Sequence, residues 1–227
     1  NDEKKRTVMV ATNKYLDLII PLLLDESLIS LVSHYLDAPA RLQSWNISWN
    51  NYGQDSKAEN GQLYHRDRDD FRSLRLYLYL SPVNYDNGPH FYLKSSHTWD
   101  LLFKKMNGKP HDLIDDTKHT FMDEKLIFQL SNFDKRDEVC LVGKQGFCWL
   151  EDGGGLHRGS VPSESSSSRL MLSVTWGLYE GAQYENAGGK EQLDILQQYL
   201  IKTRQELSII QKYLLGIKTN YLDQPLI

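Results

Sequence analysis

Four side chains, scattered along 227 residues, carry the chemistry legible in this sequence: His65, Asp67, His157 and Arg169. His65-Arg66-Asp67 sets an imidazole and a carboxylate two residues apart, and on extended backbone both leave the chain on one side, within reach of one ion. His157 follows the glycine turn Asp152-Gly153-Gly154-Gly155, 92 residues after His65, and Arg169 comes twelve residues later at the opening of another strand. Two imidazoles and one carboxylate cover one face of an octahedral Fe(II) and leave the opposite face for a chelating substrate and dioxygen. A structural zinc site would fill its positions with cysteines and histidines, and Cys140 and Cys148 lack the paired spacing for that. Each residue also has a plainer reading: ordinary half-buried histidines, Asp67 paired with Arg66 or Arg68, Arg169 in a surface ion pair. Their order and spacing together favour a site.

The elements that must position these groups are mostly strands. Trp45, Ile47 and Trp49 alternate with Asn46, Ser48 and Asn50, the period of a half-buried strand. Leu74, Leu76, Leu78 and Leu80 alternate with Arg75, Tyr77 and Tyr79, giving one apolar face and one that carries functional groups. Asn87-Gly88 marks a turn before a returning strand at 91–93, and strand character recurs at 139–142, 146–150 and 169–179. Many short strands imply an all-β core with flanking helices. The expected organisation is one domain, 1–227, with an N-terminal helix at 15–36 and a barrel over about 41–180. That barrel carries a lid-like insertion at 98–137, and a C-terminal helix follows at 190–217. Asp25 caps the more regular part of the first helix. Leu193, Leu196, Leu200, Thr203, Leu207, Ile210, Leu214 and Ile217 form a heptad stripe, for packing within the domain or for a homodimer.

Lys plus Arg number 26 against 30 Asp plus Glu, a net charge of −4 with no long basic stripe, so nucleic acid is not an expected partner. The longest apolar stretch, 18–24, is broken by Pro21 and is far below the roughly 20 residues of a membrane helix, so no membrane partner is expected either. Two cysteines point to a reducing compartment and a cytoplasmic location. Asn1 is not an initiator methionine, which leaves room for a targeting segment upstream.

His65-Arg66-Asp67, the strand at 77–80, Asn87-Gly88-Pro89, Ser95-Ser96-His97, His157-Arg158-Gly159 and Arg169 occur in a telling order. It is the order seen in phytanoyl-CoA dioxygenase-like Fe(II)/2-oxoglutarate oxygenases, which the chain resembles over about residues 46–177. The resemblance implies a double-stranded β-helix, a jelly-roll or cupin-like barrel with the metal at its mouth. It also implies His65, Asp67 and His157 as catalytic iron ligands, and Arg169 as the partner of the distal carboxylate of 2-oxoglutarate. By the same resemblance Tyr77 is an aromatic group beside the cosubstrate, and Asn50 a further polar contact. Arg66 stands where relatives commonly have Gln, and Met171 where they often have a hydroxyl, with Ser173 on the Arg169 face as a substitute. Asp67 argues against the halogenases, in which a small residue replaces the carboxylate.

The implied reaction consumes 2-oxoglutarate and dioxygen, yields succinate and carbon dioxide, and hydroxylates a small metabolite, with desaturation and ring closure as other outcomes. Arg66, Arg68, Arg72, Arg75 and Arg158 suggest an anionic substrate, although Asp69 and Asp70 offset part of that charge. His90, His97, His111 and His119 fall outside the expected site. The rival reading is a non-catalytic barrel that binds a ligand or serves assembly through its C-terminal helix.

Overall fold

Leu74, Leu76, Tyr77 and Tyr79 are all buried, so the alternating strand that holds them is covered on both faces rather than on one. The computed structural model describes residues 7–10, 12–51, 58, 60–67, 70–107, 121–163, 168–179 and 189–217. Its strands are β1 (Thr7–Val10), β2 (Arg41–Asn50), β3 (Ser73–Tyr79), β4 (His90–Leu93), β5 (Glu138–Leu141), β6 (Cys148–Asp152), β7 (His157–Arg158) and β8 (Arg169–Gly177). They form a five-stranded sheet in the order β1-β2-β8-β3-β6 and a three-stranded sheet in the order β5-β4-β7. In the smaller sheet β4 is central and antiparallel to both neighbours, with His90 opposite Leu141 and Tyr92 opposite His157. This is the mostly-β core with flanking helices expected of a jelly-roll barrel.

The chain divides into two compact units. The first comprises residues 1–10, 46–68 and 75–173, and every residue of the candidate site lies in it. One of its cores gathers Tyr64, Leu93, Leu102, Met106, Met122, Ile127, Phe133 and Leu156. Leu102 and Ile127 come from the helices α3 (Trp99–Lys105) and α4 (Glu124–Leu130) within the insertion. Both are fully buried, each worth about 1.5–3 kcal/mol relative to exposure. Thr98 and Asp123 cap these helices by accepting from the backbone N–H groups of Leu101 and Lys125. Residues 108–120 of the insertion, with His111 and His119, lie outside the described residues. A second core, Tyr77, Tyr79, Val83 and Met171 with Trp149 against it, adjoins the site.

The second unit comprises residues 11–45, 69–74 and 174–227. The expected helix at 15–36 is two helices, α1 (Leu16–Leu23) and α2 (Glu26–Leu36). Asp25 separates them in extended conformation, and its side chain accepts from the N–H of Leu28 at 2.7 Å. The single C-terminal helix expected over 190–217 is also corrected, to α5 (Gly189–Lys202) and α6 (Ile209–Leu214). Thr203, the polar member of the stripe, turns its hydroxyl back onto the carbonyl of Tyr199 at 2.9 Å. Arg204 then takes a left-handed φ of 53°, and Ser208 opens α6 with a capping box completed by Gln211. Leu193, Leu196, Leu200 and Leu214 are buried within the chain itself. Among the described residues no helix is long and apolar enough to cross a membrane.

Candidate metal centre

His65 and His157 are brought face to face by the backbone. The N–H of each donates to the carbonyl of the other at 3.0 Å, an isolated antiparallel bridge between segments 92 positions apart. Directly opposed residues of such a pair project their side chains to the same face. The N–H of Asp67 donates to Gly153 O at 2.8 Å and carries the pairing on to the glycine turn, so the third side chain joins the same face. His65 Nε2 lies 3.7 Å from Asp67 Oδ1, and His157 Nε2 lies 3.5 Å from Asp67 Oδ2. One potential ligand atom from each of the three residues falls within 4.8 Å of the others.

The ring orientations suit a cation. His65 Nδ1 sits 2.8 Å from Leu63 O, and His157 Nδ1 sits 2.9 Å from Gly155 O. A carbonyl only accepts, so in each neutral ring Nδ1 carries the proton and Nε2 presents its lone pair toward Asp67. Burial, with the neighbouring His157 adding to it, lowers the pKa of His65 to about 4, so this ring is neutral at pH 7. Two imidazoles, oriented from behind by backbone carbonyls, and a carboxylate are a donor set that fits a divalent first-row metal.

Arg169 is a further buried group of the same unit. It is 6% exposed, its Nη1 donates to Gly88 O, and its Nε has no hydrogen-bond partner among the described residues. No carboxylate pairs with it there. Burial lowers its pKa, and the phenols of Tyr79 and Tyr77 oppose that shift. Gly88 holds φ at +79°, and a Cβ there would stand 2.9 Å from Ser160 O, so the carbonyl that steadies Arg169 depends on glycine. A buried guanidinium without an anion is costly to keep and fits an anionic ligand such as 2-oxoglutarate. The Tyr77 phenol is near enough to bear on the charge of Arg169, and its ring stacks on Trp149 at 5.0 Å and lies 4.9 Å from His90.

His90, left outside the expected site, is corrected into its wall, stacked on the His157 ring at 5.5 Å. Its Nε2 donates to Glu151, at 3.1 Å from Oε1 and 2.9 Å from Oε2, while Trp149 Nε1 donates to Oε2 at 2.9 Å. Burial alone would raise the pKa of Glu151, but His90, His157 and Trp149 hold it below the usual carboxylate value, so it stays ionised. The sequence carried a signal for this residue. Trp149 and Glu151 are two apart on a strand and therefore share a face. Asn50, expected as a cosubstrate contact, accepts from Thr7 Oγ1 at 2.7 Å and bonds Ser48 at 3.5 Å, contacts of the β1–β2 edge. Ser173 is half-buried on β8 and makes no side-chain hydrogen bond among the described residues.

The expected positive mouth is largely committed elsewhere. Arg158 pairs with Glu124 and Glu138, and Arg66 donates to Gly154 O and lies over the Trp99 ring. Arg72, in the second unit, donates to Tyr35 O at 2.7 Å. Arg68 and Asp69 lie outside the described residues. Arg75 faces the three donors and pairs with Asp67.

No protein-family model matches the sequence, and no curated protein matches it significantly. Solved structures do match. The epimerase SnoN, in complex with Fe3+, alpha ketoglutarate and nogalamycin RO, aligns with a TM-score of 0.51 at 15% identity, over 75% of this chain and 62% of that one. The alpha ketoglutarate-dependent carbocyclase SnoK aligns at 0.48 and 14% identity, over 78% and 65%. EctD from S. alaskensis aligns at 0.48 and 15%, over 76% and 56%. The chain thus spans about three fifths of the length of SnoN. The likeness to SnoN establishes a shared architecture, the jelly-roll double-stranded β-helix.

Proposed function

We propose that this chain is an Fe(II)- and 2-oxoglutarate-dependent oxygenase of the phytanoyl-CoA dioxygenase-like kind, hydroxylating a small-molecule metabolite. The observation that carries the reading is the convergence of His65, Asp67 and His157. Both Nδ1 atoms are tied back to carbonyls, in a barrel that also buries a guanidinium without a carboxylate partner among the described residues. In SnoN the same architecture is found with Fe3+ and alpha ketoglutarate, which supports these as metal and cosubstrate here.

His65, Asp67 and His157 would hold the metal, and Arg169 would bind the distal carboxylate of 2-oxoglutarate through its planar guanidinium. Iron and 2-oxoglutarate, when bound, would activate dioxygen, the 2-oxoglutarate being oxidised to succinate and carbon dioxide. Tyr77 and Trp149 wall the cosubstrate pocket and exclude water, while Gly88 O fixes the direction of Arg169. The chain therefore contributes position and shielding, and the oxygen chemistry belongs to the bound groups.

Anaerobic protein loaded with Fe(II) should bind 2-oxoglutarate and, on admission of air, form succinate, with a screened substrate gaining the mass of one oxygen atom. His65→Ala should weaken Fe(II) binding more than about 100-fold, beyond the 10–100-fold typical of residues behind a metal ligand. Folded wild-type protein that binds neither Fe(II) nor 2-oxoglutarate would refute the reading.

A further inference from the structure

The structure assigns Arg75 as the positioning residue of Asp67, holding its carboxylate in the orientation that faces both imidazoles. This rests on the proposed metal role of Asp67. Arg75 sits on β3, and its Nη1 pairs with Asp67 Oδ2. The same nitrogen donates to the Tyr77 hydroxyl at 3.1 Å, and the guanidinium carbon lies 5.8 Å from the Tyr77 ring. Side-chain exposures of 18% for Arg75 and 12% for Asp67 leave the pair largely shielded from water, where an ion pair is screened less than at the surface.

A carboxylate two residues after His65 on extended backbone has freedom about its terminal torsion, and its two oxygens are chemically alike. Here that torsion is set by the pairing: Oδ2 meets the guanidinium and lies 3.5 Å from His157 Nε2, while Oδ1 lies 3.7 Å from His65 Nε2. Held so, the carboxylate completes the face that the two imidazoles begin. Because Arg75 also bonds Tyr77, it links the ligand to the wall of the cosubstrate pocket through a single fork. The added positive charge alone would repel a divalent cation, so orientation and charge predict opposite outcomes when Arg75 is neutralised.

The test is Co(II) titration of the full chain, wild type against Arg75→Met and Arg75→Lys, each alone and with Asp67→Ala. Folding is checked by circular dichroism and thermal unfolding. Arg75→Met should bind Co(II) about 10–100-fold more weakly, the range for a group that orients a ligand. Its visible Co(II) spectrum should change as the freed carboxylate reorients. Arg75→Lys should recover part of the affinity, and the effect should vanish in the Asp67→Ala background. Affinity unchanged or increased in both Arg75 variants, or an equal loss without Asp67, would overturn the assignment. Should Arg75→Met fail to fold, the Lys variant decides alone through its spectrum, an unshifted one counting against the assignment. A wild type that takes up no metal would instead bring down the parent reading together with this one.

Discussion

Arg158 and Arg169 are two buried guanidiniums of the same unit with very different surroundings. Arg158, next to His157 on β7, donates to Glu124 at 3.0 Å and Glu138 at 3.2 Å and lies 4.0 Å above the Phe91 ring. Glu138 also accepts from the Tyr64 hydroxyl and from Lys135 at 3.0 Å, so the network closes its charges among protein groups. Arg169 has a carbonyl and two phenols for company and no carboxylate among the described residues. A guanidinium whose charge is matched by the protein serves architecture. One left without a carboxylate among the described residues fits an anion that arrives from outside, the role proposed for Arg169.

Stability measurements can break that comparison. Arg158→Met takes one cation from Glu124 and Glu138, which both keep Lys135, and should cost about 1–3 kcal/mol in urea unfolding, the range for leaving charged groups less than fully satisfied. A loss below about 1 kcal/mol would make the network ornamental. Arg169→Met should do the reverse. Without ligands it should leave stability unchanged or raised, while 2-oxoglutarate affinity falls about 10–100-fold, as the loss of a charged hydrogen bond of about 1.5–3 kcal/mol requires. Fe(II) affinity should stay within about threefold, and calorimetric titration with each ligand separates the two.

A further effect is expected on pH dependence. Unfolded His65 takes its proton near 6.5, whereas the folded ring refuses it until about 4. In that window the unfolded chain binds more protons, so the metal-free protein loses stability as pH falls from 6.5 toward 4, and this contribution levels off below. His65→Asn should flatten that segment of the stability profile. An unchanged slope would place the titration on another group.

The three candidate ligands and Arg169 were legible because their spacing and order are local or serial features: a two-residue step on a strand, a glycine turn before His157, an arginine opening β8. Arg75 was visible only as one of several nearby positive charges. Its pairing with Asp67 comes from the folding of β3 beside the His65–Asp67 segment, and no short-range pattern encodes that. Glu151 and His90 were missed for the same reason, since their bond joins positions 61 apart. The C-terminal error has a different origin. The heptad count gave weight to apolar spacing and passed over Ser208 and Gln211, whose capping-box spacing announces a new helix. Asn50 shows the limit of transferring a role by position: a strand residue near the motif was spent on the sheet edge.

The reciprocal bridge between His65 and His157 has a consequence for the life of the protein in a cell. An ion clipped across it closes a loop of some ninety residues, so loading and folding become one equilibrium in which each draws the other forward. Supply of the metal proposed for this site would then bear on how much of the chain survives proteolysis, and slowed amide exchange at those two positions would mark a loaded molecule.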